Sequence, residues 1–217
     1  MDFTFATNLA YPGLFEFGSA KIYIDDIEQK NAEIGLTLAP WSDTYIYALE
    51  HGWPEMRILN IQQVWEWLNN KTNYIRSGMS KTPIDRALNA LSYIIGRPGD
   101  EEIFYILIGI EAIYNDDKSV TVLEQLRTKT ELLLNIPKQY KKKMSTIYDN
   151  SYEFIHGRIN FPNSYYKYDA TKEFDDFFFN KYMQIVNNFL AVLISTIQEF
   201  IIQNANELRL QMNLKLK

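Results

Sequence analysis

Cysteine is absent from this chain of 217 residues. Its absence excludes a disulfide framework, thiolate metal ligands and a cysteine nucleophile, and it is compatible with a reducing compartment. Only two histidines are present, His51 and His156, which argues against a histidine-rich metal centre. The composition therefore predicts no metal and no other cofactor.

Long apolar runs and a leader pattern are also lacking. The chain opens with MDFTFATNLAYPG, which has no basic segment followed by an apolar one. The longest uninterrupted apolar run near the C-terminus is FLAVLI, at Phe189–Ile194. This run is far short of the roughly 20 residues that a membrane-spanning helix needs. We therefore expect a cytoplasmic protein without a membrane partner.

Apolar residues are plentiful, whereas charge is unevenly distributed. Apolar side chains make up 47% of the chain, enough for a large core. Residues 1–57 carry a net charge of −6, and residues 138–167 carry +4, of which Lys141, Lys142 and Lys143 are part. Such a basic cluster is compatible with a phosphate-bearing partner, although short lysine runs are more often solvated helix faces.

The first part of the chain reads differently from the rest. Lys21–Asp25 and Glu33–Leu38 are short, β-branched and partly alternating, which is typical of strands. Thr44–Leu49 is a possible third strand, and proline and glycine residues separate these segments. We predict that residues 1–57 form a small acidic, β-containing appendage.

From about residue 58 the apolar residues recur at helical spacing. Helices are predicted over about 58–68, 82–96, 101–114, 119–135, 137–155 and 174–208. Thr82 should cap the second of them, with Pro83 in its first turn. The last helix would reach about 50 Å, so part of it should pack against a second subunit. The predicted fold is mainly α, with a helical bundle over residues 58–217.

One acidic residue interrupts the apolar stretch from Ile103 to Tyr114. This residue, Glu111, should have a partner or lie at a cleft, because an isolated buried carboxylate is costly. Arg127, in the following helix, is the obvious candidate. We predict a structural ion pair between Glu111 and Arg127.

The segment Ile147–Arg158 contains the residues of this chain that most suggest a functional site. As a helix it places His156 in the last turn and Gly157 at the left-handed position that ends many helices. Residues 149, 152, 153 and 156 share one face. The simplest interpretation is that His156 caps the helix carbonyls, where a positive charge is favoured.

A resemblance adds a functional interpretation. The order Tyr148…His156-Gly157 after a lysine-bearing helix, preceded by IGIEAIY and LRTKTELLL, resembles the Apea-like HEPN family over about residues 82–205. The resemblance implies a helical bundle that dimerises and brings two Arg-x(4–6)-His motifs together. In active members of that family the composite site cleaves RNA without a metal. Histidine would then move protons and arginine would stabilise the phosphorane.

This chain departs from the family motif at the arginine. Ser151 takes its position, or Asn150 if one more intervening residue is allowed, and no lysine or arginine lies four to six residues before His156. Arg158 follows the histidine by two residues. A serine hydroxyl cannot supply the charge-assisted fork of a guanidinium.

The sequence is compatible with three alternative functions. The first is a homodimer that binds RNA, nucleotide or a partner protein in a toxin–antitoxin or anti-phage defence system, as the resemblance implies. The second is an active metal-independent endoribonuclease. In it His156 is the acid–base group, Arg158 or a lysine of the cluster replaces the arginine, and Tyr148 and Asn150 position the substrate. The third is a protein scaffold without a nucleic-acid ligand.

Overall fold

The computed structural model describes residues 2–13, 23–24, 27–28, 39–77, 79–96, 101–158 and 182–208. Within these ranges the chain forms eight helices and one short antiparallel hairpin. The helices are α1 Asp2–Ala10, α2 Ala39–His51, α3 Ile61–Lys71, α4 Pro83–Gly96, α5 Glu102–Tyr114, α6 Val122–Leu134, α7 Lys138–Ile155 and α8 Met183–Ile202, and the hairpin pairs β1 Tyr23–Ile24 with β2 Ile27–Glu28. The predicted mainly α fold is confirmed.

Helix α8 is the centre of the described fold. Nearly all of its side chains between Ile185 and Ile201 are buried, and α1, α2, α3, α5, α6 and α7 all pack against it. The approach is closest at Gly109 of α5, where a Cβ atom would lie 2.7 Å from the Leu193 side chain. A glycine at this position therefore lets the two helices pack closely.

Several polar side chains of α8 form hydrogen bonds with the chain around it, whereas the buried Ser195 hydroxyl has no described partner. The Thr196 hydroxyl lies 2.5 Å from the Tyr114 hydroxyl of α5, and Asn187 accepts a hydrogen bond from Thr44 of α2 at 3.0 Å. The Gln198 amide donates to the carbonyl oxygens of Leu9 and Arg57, at 2.9 and 2.7 Å. These bonds satisfy buried polar groups that would otherwise destabilise the core.

By length and composition alone, α8 could cross a membrane. It has 20 residues and a mean hydropathy of 1.7, but 89% of its most apolar window is buried inside the protein. The core helix of a soluble protein has the same properties. Its apolar surface is therefore used for packing within the chain.

The predicted helix over 174–208 is longer than the described one. The described helix runs from Met183 to Ile202 and ends before Asn204, which has a positive φ of 51°; residues 174–181 lie outside the described ranges. A helix of this length spans about 30 Å and is covered by its own chain. Its length therefore gives no reason to invoke a second subunit.

The three strands predicted in the N-terminal part differ in how they compare with the structure. Thr44–Leu49 is not a strand, because it lies inside α2. Lys21–Asp25 overlaps β1, which pairs with the residues directly after it. Glu33–Leu38 lies outside the described ranges. Buried contacts of Trp41 and Thr44 with the core outweigh the β propensity of this segment.

The N-terminal helices belong to the main core. Phe5 and Leu9 of α1 and Trp41 of α2 are buried in the same cluster as Phe189 and Leu193 of α8. Among the described residues, the predicted boundary at residue 57 therefore does not separate two cores. The pattern was misleading because an aromatic-rich amphipathic helix also contains short alternating stretches.

The helix predictions after residue 58 agree with the structure. Boundaries of α3 to α7 differ from the predicted ones by at most three residues. Thr82 caps α4 as predicted, since its hydroxyl accepts a hydrogen bond from the Asp85 backbone at 3.2 Å, and Asp85 returns the contact by accepting one from the Thr82 backbone at 3.0 Å. This reciprocal arrangement is a capping box.

Asp85 also organises the turn before α4. Its buried carboxylate accepts further hydrogen bonds from the Lys81 backbone and from the backbone and side chain of Asn73, at 2.8 to 3.1 Å. Burial by itself would raise the pKa of Asp85, but the hydrogen bonds from Asn73, Thr82 and Lys81 together hold it below its ordinary value. The ionised form therefore stabilises the fold.

We expect Asp85→Asn to lower the free energy of unfolding by about 2–3 kcal/mol at neutral pH, because it removes charge-assisted hydrogen bonds. The pKa of Asp85 in the folded protein lies below the ordinary aspartate pKa. The ionised carboxylate therefore stabilises the fold fully at pH values above the ordinary pKa. This stabilisation is lost as the pH falls through the pKa of Asp85 in the folded protein. Urea unfolding at neutral pH and below the ordinary aspartate pKa of 3.8 should show the difference shrinking. The exposed Asp149→Asn is the control, and equal losses in both variants would contradict the role given to Asp85.

Candidate functional site

Helix α7 ends in the geometry predicted for it. Gly157 has a positive φ of 65°, its N–H donates to the Phe154 carbonyl at 3.1 Å, and the Arg158 N–H donates to the Glu153 carbonyl at 2.8 Å. These two bonds define a Schellman motif. Backbone groups thus satisfy the last carbonyls, and no described hydrogen bond involves the His156 side chain. The predicted capping role of His156 is therefore not observed.

His156 instead lies against an exposed aromatic ring. The Tyr152 side chain is 45% exposed, and its ring centroid is 4.1 Å from that of the His156 imidazole. The Arg158 guanidinium carbon lies 5.6 Å from the same Tyr152 centroid. One exposed tyrosine therefore brings an imidazole and a guanidinium together, and we call Tyr152, His156 and Arg158 the end cluster.

Tyr152 has no assigned role in the sequence-based predictions. The family motif consists of an arginine and a histidine, whereas the ring that joins His156 to Arg158 is an aromatic side chain. Its spacing of four residues from His156 was the available signal, because side chains at i and i+4 meet on a helix face.

Ser151 is not part of the end cluster. It is only 1% exposed, and its hydroxyl donates to the Tyr148 carbonyl at 2.7 Å. Ser151 and His156 are five residues apart, so their side chains point in directions about 140° apart around the axis of α7. Ser151, a candidate site residue because it takes the position of the family arginine, is therefore a buried residue that bonds its own helix. Asn150 is half-buried and about 120° from His156, so it also points elsewhere.

Tyr148 is turned towards the core. Its ring meets that of Phe189 on α8 edge to face, with centroids 6.2 Å apart. Burial raises the pKa of Tyr148 to about 12, with smaller contributions from nearby acidic groups, of which Glu111 is the largest. The hydroxyl therefore stays protonated, and the ring packs against α8.

The three consecutive lysines do not form one basic surface. Lys141 forms an ion pair with Glu131 at 2.5 Å, and Lys143 donates to the Tyr47 hydroxyl at 2.8 Å. Only Lys142 is exposed and without a described side-chain contact. Successive helical residues point about 100° apart, so a run of three cannot share a face. The predicted RNA-binding cluster is thus divided between two neighbouring elements.

The predicted ion pair between Glu111 and Arg127 is not formed among the described residues. Arg127 donates to the Ser145 hydroxyl of α7. The cation of α6 that reaches α5 is Lys129, which is buried and donates to the Tyr114 carbonyl at 2.8 Å. Two residues turn a side chain by about 200° around a helix, which explains why Lys129 faces α5 and Arg127 does not.

Within the described part of the chain, Glu111 has no cationic partner. Its side chain reaches the surface, yet partial burial raises the pKa of its carboxyl above the ordinary value. Two further acids, Asp149 and Glu153, are exposed on the outward side of α7. The described surface next to the end cluster is consequently acidic, apart from Arg158.

Neither of the two described cavities contains a predicted site residue. One, of about 350 Å³, lies between α3 and the end of α8 and includes Trp67 and Lys71. The other, of about 270 Å³, lies between α4, α5 and the residues after α8, and includes Arg86 and Asp116. Within the described ranges, no three histidine or acidic side chains are grouped to hold a metal ion. The end cluster is therefore not part of either cavity.

Comparisons with protein-family models, with curated proteins and with solved structures gave no match. The resemblance to the HEPN family therefore depends only on the motifs of this chain.

The orientation of Ser151 gives a stability prediction. We expect Ser151→Arg to destabilise the fold by at least about 2 kcal/mol, because the position is enclosed and cannot admit a charged side chain without repacking. Asn150→Arg, at the half-buried neighbouring position, should cost much less. Urea unfolding of both variants measures the difference, and a Ser151→Arg variant as stable as the wild type would show that the serine faces solvent.

Proposed function

We propose that this protein is an HEPN-like, homodimeric protein that binds RNA at the end cluster without cleaving it. The observation that supports binding is the convergence of His156 and Arg158 on the exposed ring of Tyr152. The family resemblance supplies the homodimer and the context of toxin–antitoxin or anti-phage defence. Both remain parts of the proposal.

Each member of the end cluster offers a different contact to RNA. The Arg158 guanidinium can bind a phosphate through two parallel hydrogen bonds. The exposed Tyr152 ring offers a face on which an unpaired base can stack. His156 adds an imidazole N–H that can donate a hydrogen bond. The three side chains together suit a single-stranded segment.

Cleavage needs a group that this site does not supply. In the family motif an arginine before the histidine stabilises the phosphorane. The corresponding Ser151 is buried and bonded to the Tyr148 carbonyl. No lysine or arginine occupies the neighbouring positions of the motif. The transition-state charge would therefore lack its usual stabilisation.

Removing single side chains of the end cluster tests the proposal. We expect fluorescence anisotropy to show binding of a labelled single-stranded RNA of about 12 nucleotides in the presence of EDTA. Arg158→Gln should weaken binding about tenfold and reduce its salt dependence by the equivalent of about one phosphate contact. Tyr152→Leu should also weaken it.

The matched control is Arg76→Gln, which removes an exposed cation from a loop away from α7. If this control weakens binding as much as Arg158→Gln, attraction is a property of the whole surface and the end cluster is not the site. Intact RNA with no binding by the wild type would contradict the proposal. Sedimentation over a range of concentrations tests the homodimer.

Neutralising an acid beside the cluster should have the opposite effect. Asp149 lies within a Debye length of the end cluster and repels phosphate. We expect Asp149→Asn to tighten RNA binding about twofold to fivefold at low salt, with the gain disappearing at high salt. Glu66→Gln on α3 is the control, and a weakened Asp149→Asn complex would argue against an electrostatic contact here.

The same cluster also favours a second function. Arg158 lies with His156 on one ring, so an active metal-independent endoribonuclease could use Arg158 in place of the missing arginine. Cleavage of RNA by the wild type in EDTA, lost in His156→Ala and in Arg158→Gln, would establish this second function and overturn the first.

A further inference from the structure

We propose that the outward face of α5, next to α7, is a docking site for a basic amphipathic helix of a partner protein. The α5 face comprises Phe104, Ile108 and Glu111. This inference goes beyond the proposed RNA binding, because it concerns a different surface and a ligand of opposite charge.

The first observation is apolar surface that the core does not cover. Phe104 is 42% exposed and Ile108 is 52% exposed, and they lie one turn apart on one side of α5. The Phe104 ring is 6.4 Å from that of Phe154 on α7. On the other side, exposed Tyr93 of α4 stacks on Tyr105 with centroids 4.7 Å apart. Exposed apolar side chains of α5 thus have aromatic neighbours from α7 on one side and from α4 on the other.

The second observation is the uncompensated negative charge at one end of this surface. Glu111 lies one turn beyond Ile108, and partial burial raises the pKa of its carboxyl. Asp149 lies close enough that its charge and that of Glu111 act on the same Tyr148 hydroxyl. Among the residues that the structure describes, neither acid forms an ion pair, and Arg127, a cation of the adjacent α6, is bonded to Ser145.

Charge complementarity decides the chemistry of the partner. A carboxylate that is partly removed from water and has no cation nearby is destabilised, and a lysine or arginine brought by a ligand would offset that cost. RNA would add negative charge to the same place and is disfavoured. The partner segment should therefore be positively charged where it meets Glu111 and Asp149.

The spacing of the exposed residues decides the form of the partner. Positions 104, 108 and 111 follow the spacing of four and three residues that forms a straight ridge along a helix. A second helix can pack against such a ridge with its own apolar residues at the same spacing. A basic amphipathic helix supplies both the apolar ridge and the cations beside it.

A designed peptide serves as the probe. It has about 18 residues, with leucines on one face and lysines beside them, and it carries a fluorescent label. We expect the full-length protein to bind this peptide and to bind a counterpart with glutamate in place of lysine at least tenfold more weakly. Glu111→Gln and Ile108→Asn should each weaken binding of the lysine peptide about fivefold or more.

Two variants match these changes elsewhere on the surface. Glu66→Gln removes an exposed acid of α3, and Ile58→Asn removes an isoleucine that is 69% exposed. Both should bind the lysine peptide as the wild type does. Circular dichroism and urea unfolding of all four variants check that each one is folded.

Three outcomes would overturn the docking site. They are absence of binding by the wild type, equal losses in the matched variants, and dissociation of a dimer by Glu111→Gln or Ile108→Asn without peptide, which would make a second copy the occupant. Ile108→Asn should leave RNA binding unchanged, and Glu111→Gln should not weaken it. Failure of the docking site can therefore be distinguished from failure of the RNA-binding proposal, which is tested at Tyr152 and Arg158.

Discussion

Burial of α8 is the constraint on which the rest of the described structure depends. An apolar helix is stable in water only when other elements cover it, and here six helices do so. The polar residues of α8 help to fix where the surrounding segments lie. Gln198, for example, bonds to the backbone of Leu9 and Arg57, which must therefore lie beside it. Packing provides the driving force, and these bonds select one arrangement of the chain.

Helix α7 shows how packing on α8 produces the candidate sites. Ser151 of α7 is buried and Tyr148 is partly buried against Phe189, so their hydroxyls bond to their own helix or stay protonated. Tyr152 and His156, further round the helix, remain in solvent. The Schellman motif at Gly157 then turns the chain so that Arg158 returns to the Tyr152 ring. The two faces of one helix thus acquire different chemistry.

Local patterns were sufficient for much of the helical part. The capping box of Thr82 and Asp85, the left-handed Gly157 and the boundaries of α3 to α7 follow from signals within a few residues. The same signals failed at residues 44–49. There the alternation of apolar residues suggested a strand, whereas contacts with α8, far along the chain, hold the segment as a helix.

Residue type and spacing established the mainly helical class, the lack of thiol chemistry and the position of His156 at a helix end, because these depend on composition and on backbone geometry over one or two turns. Which side chains meet when they are far apart in the sequence was decided only by the folded structure. The rotation of α6 selects Lys129 and not Arg127 to meet α5, and the rotation of α7 buries Ser151 and separates the three lysines. Such rotations are set by the whole core, so no local pattern records them.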